Sequence, residues 1–119
     1  MYSILGIFIG GGFGSVLRHL ISSRIGSHWG IMTVNILGAV FIGVLFEWLG
    51  SRTDLRPEWR AFLITGLLGG FTTFSTYMLD FGLLLNNHRS AEAVLYLFGL
   101  LAVGVAGLFA GMALGRLAV

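Results

Sequence analysis

Polar residues in this chain fall into three short clusters, with long apolar stretches between them. The clusters are SSRIGSHWG (residues 22–30), GSRTDLRPEWR (50–60) and NNHRSAE (86–92). A membrane-spanning helix needs roughly 20 mostly apolar residues. Four stretches meet that requirement: residues 3–21, 30–49, 59–85 and 91–119. The pattern therefore predicts an all-α membrane protein, a single unit over 1–119 built from four transmembrane helices, with no room for a soluble domain. The first stretch reads as a spanning helix and not as a cleaved leader. No charged region precedes its apolar run, and no A-x-A site follows it.

The third stretch interrupts itself. Residues 69–76 read GGFTTFST, two glycines followed by three threonines and a serine with two phenylalanines among them. Glycine pairs weaken a helix, and hydroxyls can satisfy backbone groups that a break releases. The stretch predicts a discontinuous third helix. The alternative is a continuous helix in which Ser and Thr bond back to carbonyls one turn earlier. Non-helical backbone at membrane depth survives only where protein or a water-filled cavity covers it. Carbonyls freed there suit a hard cation such as Na⁺ better than a thiophilic one.

Composition narrows the function. The chain is 56% hydrophobic and 10% charged, with mean hydropathy +0.93. Soluble domains carry about a quarter charged residues. There is no cysteine, which excludes a disulfide framework and a thiolate metal site. All seven basic residues are arginine, the net charge is only +2, and no basic run is interleaved with aromatics. Nucleic acid is therefore not an expected partner. Nineteen glycines without a fixed repeat suit closely packed membrane helices.

The arginines show almost no bias across the membrane. Arg18, Arg24 and Arg89 lie on the side of the first and third loops, and Arg52, Arg56, Arg60 and Arg116 on the other. The positive-inside rule needs a bias to fix orientation. The near balance leaves two readings: one orientation weakly set, or dual topology with copies pairing antiparallel.

Polar side chains within a membrane are candidates for function because lipid offers them no partner. Arg18, in GSVLRH, either snorkels to the interface or sits at the foot of a vestibule and attracts anions. Asn35, in TVNILGAVFIG, either bonds between helices or offers its amide N–H groups to an anion. Phe74 and Tyr77 share a helix face at i, i+3. They either pack or turn their electropositive ring edges toward a small anion. Asp80 follows one turn later; it faces a vestibule, pairs with Arg18 or Arg60, or ends its helix as an interfacial acid. The histidines His19, His28 and His88 stand at loop edges without an i, i+4 partner, and no Ser/His/Asp set lies on a common element. No enzymatic chemistry is expected.

With these motifs in this order, the chain resembles the bacterial Fluc/CrcB family of fluoride channels over essentially its whole length. The resemblance implies two subunits assembled antiparallel, with two fluoride pores, in the bacterial inner membrane. It implies a third helix broken near its middle and a structural Na⁺ held there by the carbonyls of Gly69 and Thr72. It places Asn35, Phe74, Tyr77 and Arg18 along the ion pathway, with the hydroxyls of Thr73 and Thr76. It puts Asp80 where the family carries Glu. Tyr77 stands where the family usually has Phe. The fourth stretch, AVLYLFGLLAVGVAGLFAGMALG, lacks the hydroxyl residues expected there; Leu108 and Met112 fall about where they would lie, and Tyr96 and the glycines are the candidates for polarity or room. That departure suggests one half of a pair of unlike subunits as an alternative to a homodimer. A small multidrug-type transporter is a weaker alternative, because the first span lacks the acid such proteins use.

Overall fold

The computed structural model describes residues 2–52 and 54–118 and is all-helical. Helix α1 (Tyr2–Ile25) and helix α2 (Ser27–Gly50) come first. The third span begins with α3 (Pro57–Arg60), continues as a π-helical stretch (Ala61–Leu68) and closes its first half with α4 (Gly69–Phe71). Helix α5 (Phe74–Asn86) completes it, and α6 (Ser90–Leu117) ends the bundle. Tyr2–Ile25, Ser27–Gly50, Pro57–Asn86 and Ser90–Leu117 are long and apolar enough to cross a membrane. Each helix starts before the apolar stretch that marks it, and the first three also end beyond it. Ser and Arg at a helix end can stay helical while their side chains meet water and headgroups. Val119, the last residue of the expected fourth span, lies outside the described residues.

The turns are shorter than the polar clusters suggested. Only Gly26, at φ 81°, separates α1 from α2. A positive φ costs glycine little, and the chain reverses on that residue. Three residues link α5 to α6. The Arg89 N–H bonds the Leu84 carbonyl at 2.9 Å and the His88 N–H bonds the Leu85 carbonyl at 3.1 Å. This is a Schellman ending, with His88 at φ 60° in the position glycine usually takes.

Packing pairs helices that are not neighbours in sequence. α1 lies mainly against the first half of the third span, and α2 lies mainly against α6. Glycines set both seams. A methyl group at Gly10 would lie 2.6 Å from the Phe62 carbonyl oxygen, and one at Gly14 would strike the Leu67 carbonyl. Across the other seam, a methyl at Gly111 would strike the Val40 carbonyl, and one at Gly115 would lie 2.7 Å from that of Val44. Small residues of this kind let membrane helices touch backbone to backbone. The buried cluster sits toward the start of α2 and α6 and comprises Ile31, Tyr77, Leu84, Ala93, Tyr96 and Leu100.

Candidate functional site

The middle of the third span leaves the helical conformation for two residues. Thr72 (φ −89°, ψ 156°) and Thr73 (φ −150°, ψ 123°) are extended. The Thr72 N–H still bonds the Leu68 carbonyl at 3.1 Å, but the Thr73 N–H and the carbonyls of both residues need partners from elsewhere, and side chains from α1 and α2 supply them.

Asn35, on α2, serves the first need. Its Nδ2 donates to the Thr73 carbonyl at 3.0 Å, and its Oδ1 accepts the Thr73 N–H at 2.9 Å. The amide thus mimics a neighbouring strand. One N–H of its NH₂ remains for another acceptor. Gly38, one turn on, makes room: a methyl there would strike Thr72 Cγ2.

Arg18, on α1, serves the second. Its Nη1 donates to the Gly70 carbonyl at 2.8 Å and to the Thr72 carbonyl at 3.3 Å, and Ser15 Oγ donates to Gly70 at 3.5 Å. The guanidinium therefore turns inward onto the interruption, and not outward to the interface. Carbonyls at a helix C-terminus carry partial negative charge, so a cation is favourable there.

Thr73 also begins the next helix. Its Oγ1 accepts the Thr76 N–H at 3.3 Å and lies 3.3 Å from Thr76 Oγ1 and 3.4 Å from Ser75 Oγ. This is an N-cap, the role Thr fills well. Thr72 Oγ1 bonds back to the Leu68 carbonyl at 3.0 Å.

The two aromatics differ. Phe74 is 71% exposed and Tyr77 is 4% exposed, and their rings meet edge to face at 6.2 Å and 86°. The Tyr77 hydroxyl donates to the Leu97 carbonyl of α6. Its ring meets Tyr96 edge to face at 5.3 Å. Asp80 pairs with neither Arg18 nor Arg60. It accepts the Tyr96 hydroxyl at 3.2 Å, while Arg60 donates to the carbonyls of Leu49 (2.7 Å) and Arg52 (2.8 Å). Tyr96 was legible as the polar candidate of its helix, but its tie to Asp80 was not.

These residues border two cavities. A groove of about 430 Å³ is lined by Asn35, Gly69, Thr72, Thr73, Phe74 and Tyr77, with Leu100, Leu101, Gly104, Val105 and Leu108 as its wall on α6. Met112 is not on that wall. A second cavity, also about 430 Å³, lies at the end of the bundle where α1 meets α2, and Thr76, Asp80, Asn87 and Arg89 help line it. Arg18 borders neither cavity and reaches the interruption from its other side.

Gly69 and Thr72 both face the groove, and their carbonyls are the expected cation ligands. The Thr73 N–H that an unbroken α-helix would give to Gly69 goes to Asn35 instead. The Thr72 carbonyl accepts one bond from Arg18 and keeps a second lone pair. Neutral backbone oxygens of this kind fit a hard monovalent cation, and two from one chain form part of a coordination shell. Among the described residues, no group of three or more His, Cys, Asp or Glu side chains is placed to hold a metal.

Four membrane-length helices packed through glycine seams, with a polar interruption facing a groove, define a small multi-pass integral membrane protein. Residues 5–112 match the family model described as CrcB-like protein, Camphor Resistance (CrcB), and the chain belongs to that family. It is similar to a protein of Methylobacterium nodulans named Fluoride-specific ion channel FluC, with 42% identity over 121 residues and 98% of each chain covered. A protein of the same name from Rhodospirillum centenum is 43% identical over 126 residues, covering 100% of this chain and 99% of that one. Another, from Aquifex aeolicus, is 39% identical over 119 residues, covering 95% and 96%. None of these names is that of an enzyme.

Proposed function

We propose that the chain is a subunit of a fluoride-selective passive channel that exports F⁻ across the inner membrane of a bacterium. The observation that carries this reading is similarity at about 40% identity, over nearly the whole chain, to proteins named as fluoride-specific channels. The groove supports it with suitable chemistry.

Fluoride is small and strongly hydrated, so a pore must replace its water with donors. The free N–H of Asn35 and the ring edges of Phe74 and Tyr77 in the groove are donors of that kind, and the Thr76 hydroxyl offers another at the second cavity. Arg18 adds positive potential near the interruption. Its cation and the N-terminus of α5 offset the cost of an anion at membrane depth. Acid outside favours HF, which crosses lipid and releases F⁻ inside; a passive pore then lets F⁻ leave down its gradient.

Phe74 is exposed and lines the groove. A second copy inserted the opposite way would cover both and complete the cation shell begun by Gly69 and Thr72. The nearly even split of arginines, three against four, supports dual topology. Bound Na⁺ would supply a fixed positive charge at the centre of such a pair. In this reading the extended Thr72–Thr73 pair is the working break of the third helix.

The test is fluoride efflux from liposomes holding this chain alone, with chloride in parallel. Fast fluoride release without chloride release supports a self-sufficient channel. The apolar α6 wall favours one second reading, a subunit that needs an unlike homologous partner. Folded protein that releases no fluoride alone, but does so with a homologous chain, selects that reading.

A further inference from the structure

A third cavity, of about 460 Å³, lies at the end of the bundle where α2 stops, the third span starts and α6 finishes. Phe46, Glu47 and Leu49 of α2, Arg60 and Ile64 of the third span and Arg116 of α6 line it. None of the ion-pathway candidates does. Two guanidiniums and one carboxylate leave the lining with an excess positive charge. Arg60 is held in place: its Nη2 spans the carbonyls of Leu49 and Arg52, which leaves the Nε and Nη1 hydrogens to a ligand. Arg116 is less tied. Its Nη1 pairs with Glu47 Oε1 at 3.1 Å, and its side chain is 59% exposed against 23% for Glu47. Trp48 and Trp59 set this end at the level of the membrane–water interface, where Trp is enriched. The Arg52 guanidinium lies 4.3 Å from the centre of the Trp48 ring. Phe46 is exposed, and Ile64 also lines the groove, so an apolar wall runs from the arginines toward the middle of the bundle.

We propose that this cavity binds the phosphate group of an anionic phospholipid, with Arg60 and Arg116 as the donors. A guanidinium presents its N–H groups as a planar fork that matches two phosphate oxygens at once. Lipid phosphates lie at the depth the two tryptophans mark, and basic pockets between membrane helices suit anionic headgroups. Arg60 is already fixed by the carbonyls at the end of α2, so a ligand has little ordering left to impose on it. The apolar wall of Phe46 and Ile64 favours a lipid over free phosphate, because it receives the glycerol and the first acyl carbons. Glu47 opposes the ligand. It occupies Arg116 and repels a phosphate, so it sets the affinity from inside the site. A bound headgroup bridges α6 and the third span beside the end of α2, and a ligand that binds only the folded chain stabilises it. The geometry that carries this site is independent of the fluoride reading.

The test uses the full chain in an uncharged detergent. The thermal unfolding midpoint is read while phosphatidylglycerol, phosphatidylcholine or inorganic phosphate is added. Phosphatidylglycerol is expected to raise the midpoint by several degrees, and phosphatidylcholine, which has no net charge, much less. Arg116→Gln should weaken phosphatidylglycerol binding about tenfold, the loss of one charge-assisted bond. Glu47→Gln should strengthen it several-fold. Arg24→Gln, which removes an exposed arginine at the opposite end of the bundle, should leave it unchanged. A rise that phosphatidylcholine matches, or that Arg116→Gln leaves intact, overturns the site, as does the lack of any rise with phosphatidylglycerol or phosphate. A rise with inorganic phosphate alone, lost in Arg116→Gln, supports the anion site and overturns its lipid occupant. If Arg116→Gln fails to fold, Glu47→Gln decides: tighter binding supports the site, and unchanged or weaker binding overturns it. Fluoride flux enters none of these readouts, so failure here and failure of the channel reading are separate results.

Discussion

At the residue scale, Asn35 carries two demands at once. Its amide completes the backbone of Thr73 and keeps one N–H for a passing anion. Asn35→Asp retains an acceptor for the Thr73 N–H but sets a carboxylate oxygen against the Thr73 carbonyl and a negative charge beside the groove. Fluoride efflux from liposomes should be abolished; normal efflux would remove Asn35 from the pathway. Asn35→Ala loses both bonds and should lower stability by about 1–3 kcal/mol, read from thermal unfolding. Tyr77→Phe is expected to be mild. It keeps the ring edges and removes one hydroxyl bond to a helix carbonyl, a loss of about 1 kcal/mol, with flux little changed. A large fall in flux would show that the hydroxyl itself meets the ion. The candidate residues were legible because each is polar or aromatic where lipid should be. Their partners were not. Asn35 and Thr73 stand 38 positions apart, and no spacing rule links them. The burial of His28 was hidden for another reason: it lies in a polar cluster that reads as a loop, while the chain turns within Gly26 and Ser27, at φ 81° and 49°.

At the element scale, length and apolarity fix the four spans, while glycine placement fixes which spans meet. Gly111→Val would drive a branched side chain into the Val40 backbone across the α2–α6 seam. The expected cost lies toward the top of about 1–3 kcal/mol, with loss of a monodisperse peak on size exclusion. Gly99→Ala is the control, since a methyl there meets nothing within 4 Å. A harmless Gly111→Val would mean that the seam is looser than its geometry. His88 offers a gain. Its left-handed backbone costs a non-glycine residue about 1–2 kcal/mol, so His88→Gly should raise stability by about 0.5–1 kcal/mol after glycine's own entropy cost. A fall in the unfolding midpoint would show that the His88 side chain contributes more than its backbone costs. The π-helical winding of Ala61–Leu68 had no signature in the sequence. Its residues form an ordinary apolar run, and only packing against α1 distinguishes them.

At the scale of the whole molecule, the proposed assembly makes a prediction about orientation. A reporter fused after residue 118 should be found on both sides of the membrane in comparable amounts if copies insert both ways. Location on one side only would favour a single orientation and a parallel or unlike partner. The interleaved pairing of helices has a further consequence, for synthesis. α1 finds its main partner only when the third span has emerged, and α2 only when α6 has. Neither of the first two helices can complete its glycine seam with the helix made next. Ribosomes that stall after the second span would release a hairpin with two bare backbone ridges facing lipid. Quality control in the membrane would therefore meet an all-or-nothing product, sensitive to truncation anywhere before the final helix.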